Sequence, residues 1–472
     1  MIAFDVFLIA GAVVLLCLAH WRAGVLAILV MGFALDPMRK LVPGEPLFFS
    51  VLVFVVVAAT MIGMRVRGVR LSLKPILTWN PTLRVPLLLF VLLVVFQSLA
   101  AFLRTGSAPI AVIGLVAYLA PIPGVLIGYS YARSTADVKR VVMWYVVGVA
   151  IMTTGIYLSR SGYEWKVLKA VGVGLVAFTP TGERLTLASG FFRTPEIAAW
   201  HVAMATCFVI MLFLSRRRIA AYILPTIVGM LYFVVALLLT GRRKGLVEVA
   251  VFVLAYLTLI AFFRRRSIRT AVVLAAATVA SIGIVLVTEI GATLDLSGYY
   301  ERGTNIGATE AERYQRMSVG ALKYVIQRNG WLGAGAGTGS QGAQYFGGGS
   351  RLVGMASEGG LGKVLAELGV PGLVLLFWLG IAISLRLWKV ARSASRGGQR
   401  RVHYAYGMGA FLFANAVMFA VAHQVFGDPL VLYVIGLALG VAFAVPDMRE
   451  GSRPQVPKEQ PLHATIHAGP PR

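Results

Sequence analysis

Cysteine is almost missing from this sequence: Cys17 and Cys207 are the only two, and both lie inside long apolar runs. That excludes a disulfide framework and a cysteine-based zinc site. The six histidines show no metal-ligand spacing, so no metal and no cofactor is expected. Charge is scarce as well, at 13% of residues against roughly 25% in an ordinary soluble domain. Acid is scarcest, with 19 Asp and Glu against 44 Lys and Arg, a formal balance of +25. In a soluble protein that balance would suggest nucleic acid. Here the cations sit in short loops between apolar runs, so no nucleic-acid partner is expected. A basic leader is lacking before the first apolar run, which carries Asp5 instead, so no cleavable signal is expected.

Apolar residues make up 58% of the chain, and they occur in continuous runs. A bilayer core of roughly 30 Å needs about 20 apolar residues per helix. In lipid every backbone N–H and C=O must pair within its own segment, which makes such runs helical. A barrel would show alternating segments of about 10 residues, and the runs are longer and unbroken. The reading is an all-α polytopic transmembrane bundle of about 12–14 spans, between residues 4–19 at the start and 431–445 at the end. The run at 24–35 is short and reads as half of a tight hairpin. The chain divides into an N-terminal transmembrane region (1–190), central helices (191–289), a long loop with short helices (290–362), C-terminal helices (363–446) and a disordered tail (447–472).

Lys and Arg set the orientation. Arg65, Arg67, Arg70 and Lys74, then Arg133, Lys139 and Arg140, then 216–218, 264–266 and 386–401, fall on one side if all are cytoplasmic. The opposite face receives 160–194, the turn 241–244, the loop 289–362 and the turn 423–429. Within the loop, 310–327 reads as an amphipathic helix. Pro371-Gly372, inside the following apolar run, marks a kink or a late helix start.

Three outward features carry chemistry. Gly241-Arg242-Arg243-Lys244-Gly245 puts three cations against the orientation rule. It is either a basic anchor on lipid headgroups or a clamp on phosphate, which the planar guanidinium grips bidentately. Arg313 and Arg316 share a helix face one turn apart; they are either a solvated pair with Glu310 and Glu312 or a second phosphate contact. Glu358 and Glu367 flank and enter an apolar run, where a carboxylate is either a general base or an interfacial acid at a helix start. His201 and His423 lie near outward ends of spans, as structural residues or substrate contacts. The literal Gly-x-Gly-x-x-Gly stretch follows no strand, so nucleotide binding is excluded.

Four stretches together resemble the O-antigen polymerase and O-antigen ligase superfamily. They are Leu239 to Leu246, Arg313 through Gly337, Glu358 to Gly372, and Arg193-Thr194-Pro195 followed by Ala198. The resemblance covers about residues 190–440. It implies a C-type membrane glycosyltransferase of the bacterial inner membrane, metal-independent and inverting. Its substrate would be an undecaprenyl-diphosphate-linked oligosaccharide, met at the periplasmic face. A chain-length regulator and a flippase are further implied partners, beside membrane lipid.

By that resemblance Arg242 or Arg243, and Arg313 or Arg316, would hold the diphosphate, with Lys244, Arg193, His201 and His423 around the substrate. Arg243, Arg316 and Glu358 would carry catalysis. Ligases have His-Asn where this chain has Glu358-Gly359. That points to a polysaccharide polymerase, with ligase-type transfer and transport of the intermediate as the other readings.

Overall fold

A computed structural model describes residues 2–78, 81–171, 176–178, 184–216, 220–264, 320–346 and 358–450. Arg313, Arg316, the apolar run at 271–287 and the tail beyond 450 lie outside the described residues. The described chain is a helical bundle. Ten of its helices are long and apolar enough to cross a membrane, and two shorter apolar helices accompany them. Leu103, Val66 and Leu224 are each more than 70% exposed on helix surfaces. Water does not tolerate so much outward apolar area on a monomer; lipid does. The chain is a multi-pass membrane protein.

The helices are α1 (Ile2–Ala19), α2 (Trp21–Leu41), α3 (Leu52–Val66), α4 (Pro81–Thr105), α5 (Ala108–Leu119), α6 (Pro121–Tyr131), α7 (Thr135–Arg160), α8 (Pro195–Leu214), α9 (Ile223–Leu239), α10 (Arg243–Phe263), α11 (Gly320–Asn329), α12 (Gly360–Ala394), α13 (Gln399–Val421) and α14 (Pro429–Ala444). A two-stranded hairpin, Val176–Phe178 with Arg184–Thr186, lies between α7 and α8. α2 corrects the reading of 24–35 as a half-span, because it extends to Leu41 through Asp36, Arg39 and Lys40. Those charges end an apolar pattern in sequence, yet the fold pairs them and the helix continues.

α8 is the centre. Every residue in it except Glu196 and Val209 is buried, as expected of a helix apolar on all sides. α7, α9, α10 and α13 pack around it. α6 and α14 make the closest crossing. A side chain at Gly124 or Gly128 would meet the Tyr433 and Leu437 carbonyls, and one at Gly436 or Gly440 would meet those of Pro121 and Val125. Each helix carries a Gly-x-x-x-Gly pair, and lipid-embedded backbones approach closely only over such small residues.

The bundle has two chemically different ends. At one, Arg22 pairs with Asp137 at 2.6 Å, the Arg449 N–H donates to the Arg133 carbonyl at 3.1 Å, and Gln399 donates to the Leu214 and Arg216 carbonyls. This end gathers the Lys/Arg-rich loops. The opposite end gathers Arg193, Glu196, Arg242, Glu358, His423 and Asp428.

Candidate functional site

α8 starts where Thr194 accepts from the Ile197 N–H and Pro195 takes the first turn, an ordinary N-cap arrangement. The residue just before, Arg193, is held three ways, the first being its carbonyl, which accepts from the Val171 N–H at 2.8 Å. Its guanidinium meets the Asp428 carboxylate at 2.6 Å, and its backbone N–H donates to Asp36 Oδ2 at 3.0 Å. Asp428 also caps α14, accepting from the Val431 N–H at 2.9 Å. One buried carboxylate therefore fixes the start of α14 and the entry to α8. Burial opposes the charge on Arg193, but Asp428 and Asp36 outweigh it and raise its pKa above the ordinary value. Beside them Lys40, 1% exposed, donates to the carbonyls of Val167, Gly190 and Phe192. It thereby ties the segment before α8 to the end of α2.

Glu196, in the first turn of α8, pairs with Arg242. Arg242 is the N-cap residue of α10, and Gly241 before it turns the chain with φ 64. Burial lowers the Arg242 pKa, with Glu196 acting against that. Arg243 and Lys244 then occupy the first two positions of α10, with Lys244 exposed. Gly245 lets α10 lie against α8, since a side chain there would meet Leu237 and the Ala199 carbonyl. The free N–H groups of a helix start already concentrate positive potential, and cations are normally unfavourable there. Arg242, Arg243 and Lys244 add theirs to it. Such a place favours an anion.

The turn after α13 brings His423 to Glu358. The His423 backbone N–H donates to the Glu358 carbonyl at 3.1 Å, and ring Nδ1 meets the same oxygen at 3.0 Å. A carbonyl only accepts, so Nδ1 carries the proton. Ring Nε2 is buried and without a hydrogen-bond partner among the described residues. Burial, and then the charge of Lys363, lower the imidazole pKa to about 4, with Lys244 adding to the same effect. The ring is neutral at pH 7.

Next to it lies a second polar knot. Glu367, fully buried, accepts from Tyr118 at 2.6 Å, Lys363 at 2.8 Å and the Gly339 N–H at 3.0 Å. Both carboxylate oxygens are engaged, so Glu367 joins α5, α12 and the glycine-rich loop. That loop sits in a break of α12, where Gly369 has φ 70 and ψ −169. Pro371 has no N–H to offer the Glu367 carbonyl four residues back; the Gly335 N–H bonds it instead at 3.1 Å. Ala334 N–H takes the Ala366 carbonyl, and Val370 N–H takes that of Trp331. Irregular backbone at this depth is tolerated only when paired in this way.

Of the residues singled out from sequence, Arg193, Arg242, Arg243, Lys244, Glu358 and His423 share this end of the bundle. His201 does not open onto it. Its ring is 1% exposed, hydrogen-bonded to Tyr145 at 2.8 Å and stacked on Phe192. It is part of the core. Sequence reasoning missed Asp36, Lys40, Tyr118, Glu196, Lys363 and Asp428. An ionisable residue within an apolar stretch was signal enough for Asp36 and Lys40; Tyr118 and Glu196 carried none. No protein-family model and no curated protein matches the chain. The reading of function rests on this geometry and on the motif resemblance.

Proposed function

We propose that this end of the bundle grips the diphosphate of a prenyl-linked oligosaccharide and transfers its glycan to a hydroxyl acceptor. The protein would then be a polymerase of undecaprenyl-diphosphate-linked repeat units in a bacterial inner membrane, acting at the periplasmic face. The observation that carries this is Arg242-Arg243-Lys244 at the start of α10. Glu196 pairs with Arg242 there, and a helix N-terminus carrying three cations and one carboxylate keeps a positive balance that suits an anion.

The chemistry follows from charge. As the glycosidic bond breaks, negative charge grows on the leaving diphosphate. Guanidinium and ammonium groups already in place stabilise that charge more in the transition state than in the bound donor. The prenyl chain needs entry from lipid, which a helical bundle provides along its sides. Polymerase is favoured over ligase because position 358 is Glu where the ligases carry His.

Replacing Arg243 by Lys keeps the charge and removes the bidentate fork. In cells making the polymer, that variant is expected to accumulate single lipid-linked repeat units. A ligase defect would instead leave long polymer on the carrier. A transport defect would trap repeat units on the cytoplasmic side. Polymer of normal length and amount in Arg243→Lys and Arg243→Ala cells would refute the clamp.

A further inference from the structure

The Lys/Arg-rich end of the bundle, away from the cationic turn of α10, holds a second meeting of cations. α8 ends at Leu214, and the last carbonyls of a helix need donors from outside it. The Gln399 side chain supplies them, to the Leu214 carbonyl at 3.2 Å and the Arg216 carbonyl at 3.0 Å. The first residue of α13 thus fixes the end of α8, which brings Arg216 and Arg400 to one place. Lys139, near the start of α7, completes the group: the charges of Arg216 and Arg400 both act on its ammonium. Arg216 is held further by Tyr222, with its guanidinium over the ring at 4.3 Å from the centroid. Three cations therefore come from three elements. None of them makes an ion pair with Asp or Glu among the described residues.

The acids at this end do not balance the group. Asp137 closes the capping box of α7 and pairs with Arg22 at 2.6 Å. Asp447 sits with Tyr129 and Arg386. The Glu450 carboxylate lies against Gly398, the N-cap residue of α13, and offsets one charge of the three. Arg216 suits the negative end of α8, but Arg400 stands in the first turn of α13, where a cation is unfavourable by itself. Beside the cations the surface turns apolar at once. Tyr222, Ile223 and Leu224, at the start of α9, are all exposed, a face that lipid covers. Tyr222 joins the two halves, since the Arg216 guanidinium rests on its ring.

We propose that this corner, at the ends of α7, α8, α9 and α13, binds an anionic phospholipid, its phosphates on Lys139, Arg216 and Arg400 and an acyl chain along Ile223 and Leu224. By the loop charges the leaflet concerned faces the cytoplasm. The site lies at the other end of the bundle from the transfer proposed above and does not depend on it. A planar guanidinium held flat on an aromatic ring is already placed to grip phosphate oxygens in pairs. The cations alone would take a free phosphate as readily as a lipid. The exposed apolar turn beside Arg216 decides for the lipid, because only a lipid gains by lying on it. Three cations with one carboxylate at their edge suit a headgroup with two phosphates, which is cardiolipin rather than phosphatidylglycerol. Basic sites between helix ends on the cytoplasmic side take such headgroups. A lipid bound there bridges α7, α8 and α13 and stabilises the folded chain by mass action.

The test uses the full chain, freed of lipid in a non-ionic detergent, with bound cardiolipin counted by native mass spectrometry. Phosphatidylglycerol, phosphatidylcholine and inorganic pyrophosphate are the comparison ligands. Wild type is expected to retain cardiolipin in preference to all three and to melt at a higher temperature with it. Lys139→Gln and Arg400→Gln are each expected to hold cardiolipin about 10- to 150-fold more weakly. Arg65→Gln removes an exposed cation of the same end from α3 and is expected to bind as wild type does. Arg400 is exposed, so its replacement should melt as wild type does without lipid, and it decides alone if Lys139→Gln fails to fold. Unchanged retention in Arg400→Gln overturns the inference. An equal loss in Arg65→Gln overturns it too, since the attraction would then belong to the whole basic surface. Pyrophosphate bound as tightly as cardiolipin would make the corner a free-anion site and overturn the lipid.

Discussion

Arg193 and Asp428 show how a single contact organises this end of the protein. Asp428 caps one helix and neutralises the cation before another. Breaking a buried pair by removing one partner leaves an uncompensated charge, at about 3–5 kcal/mol; loss of the cap adds about 1 kcal/mol. Asp428→Ala is therefore expected to lower thermal stability in detergent strongly. The pair Arg193→Met with Asp428→Leu should lose less than Asp428→Ala alone. His423 gives a pH signature. Its pKa in the folded chain is near 4, below the roughly 6.5 of an unfolded imidazole. The unfolded chain thus binds the proton first. The stability that His423 contributes is present above about pH 6.5 and lost as pH falls toward 4. Melting curves between pH 7 and 4 should show a shallower loss for His423→Asn; identical slopes would contradict the burial. The partners of these residues were not legible in the sequence. Asp36 stands 157 positions from the Arg193 N–H it accepts, and nothing local marks such a pairing.

At the scale of elements the sequence was far more informative. Apart from 271–287, which lies outside the described residues, the apolar runs fall on described helices, and the break in α12 falls at Gly369, two residues before Pro371. Runs of apolar residues must become helices in lipid, so composition decides. The packing of the glycine loop into that break was not readable, because it depends on which carbonyls the break releases. The contrast between glycines tests it. Gly330 and Gly335 both have positive φ, but a side chain at 330 meets open space and one at 335 meets the Ala101 backbone. Gly330→Ala is expected to cost about 1 kcal/mol and leave the fold intact. Gly335→Ala should displace the loop, lowering the detergent melting temperature by more and exposing Gly339 and Glu367 to amide exchange and protease. Equal effects would mean that the loop does not sit in the break.

For the whole molecule, the two ends differ in chemistry, and the proposed transfer needs that difference. The sequence supplied this through its loop charges. Both natural cysteines are fully buried, so introduced thiols report alone. In sealed cells an impermeant thiol reagent is expected to label Lys244→Cys from outside, and Arg396→Cys only after the membrane is opened. The reverse pattern would place the cationic turn in the cytoplasm. The most direct measurement is the affinity of the purified full chain for undecaprenyl diphosphate, compared with Arg243→Ala and Lys244→Ala. Each lost charge-assisted contact is worth about 1.5–3 kcal/mol, so each variant should bind roughly 10- to 150-fold more weakly, and more weakly still in high salt. Affinities that match wild type, or no binding by wild type at all, would contradict a diphosphate held at the start of α10.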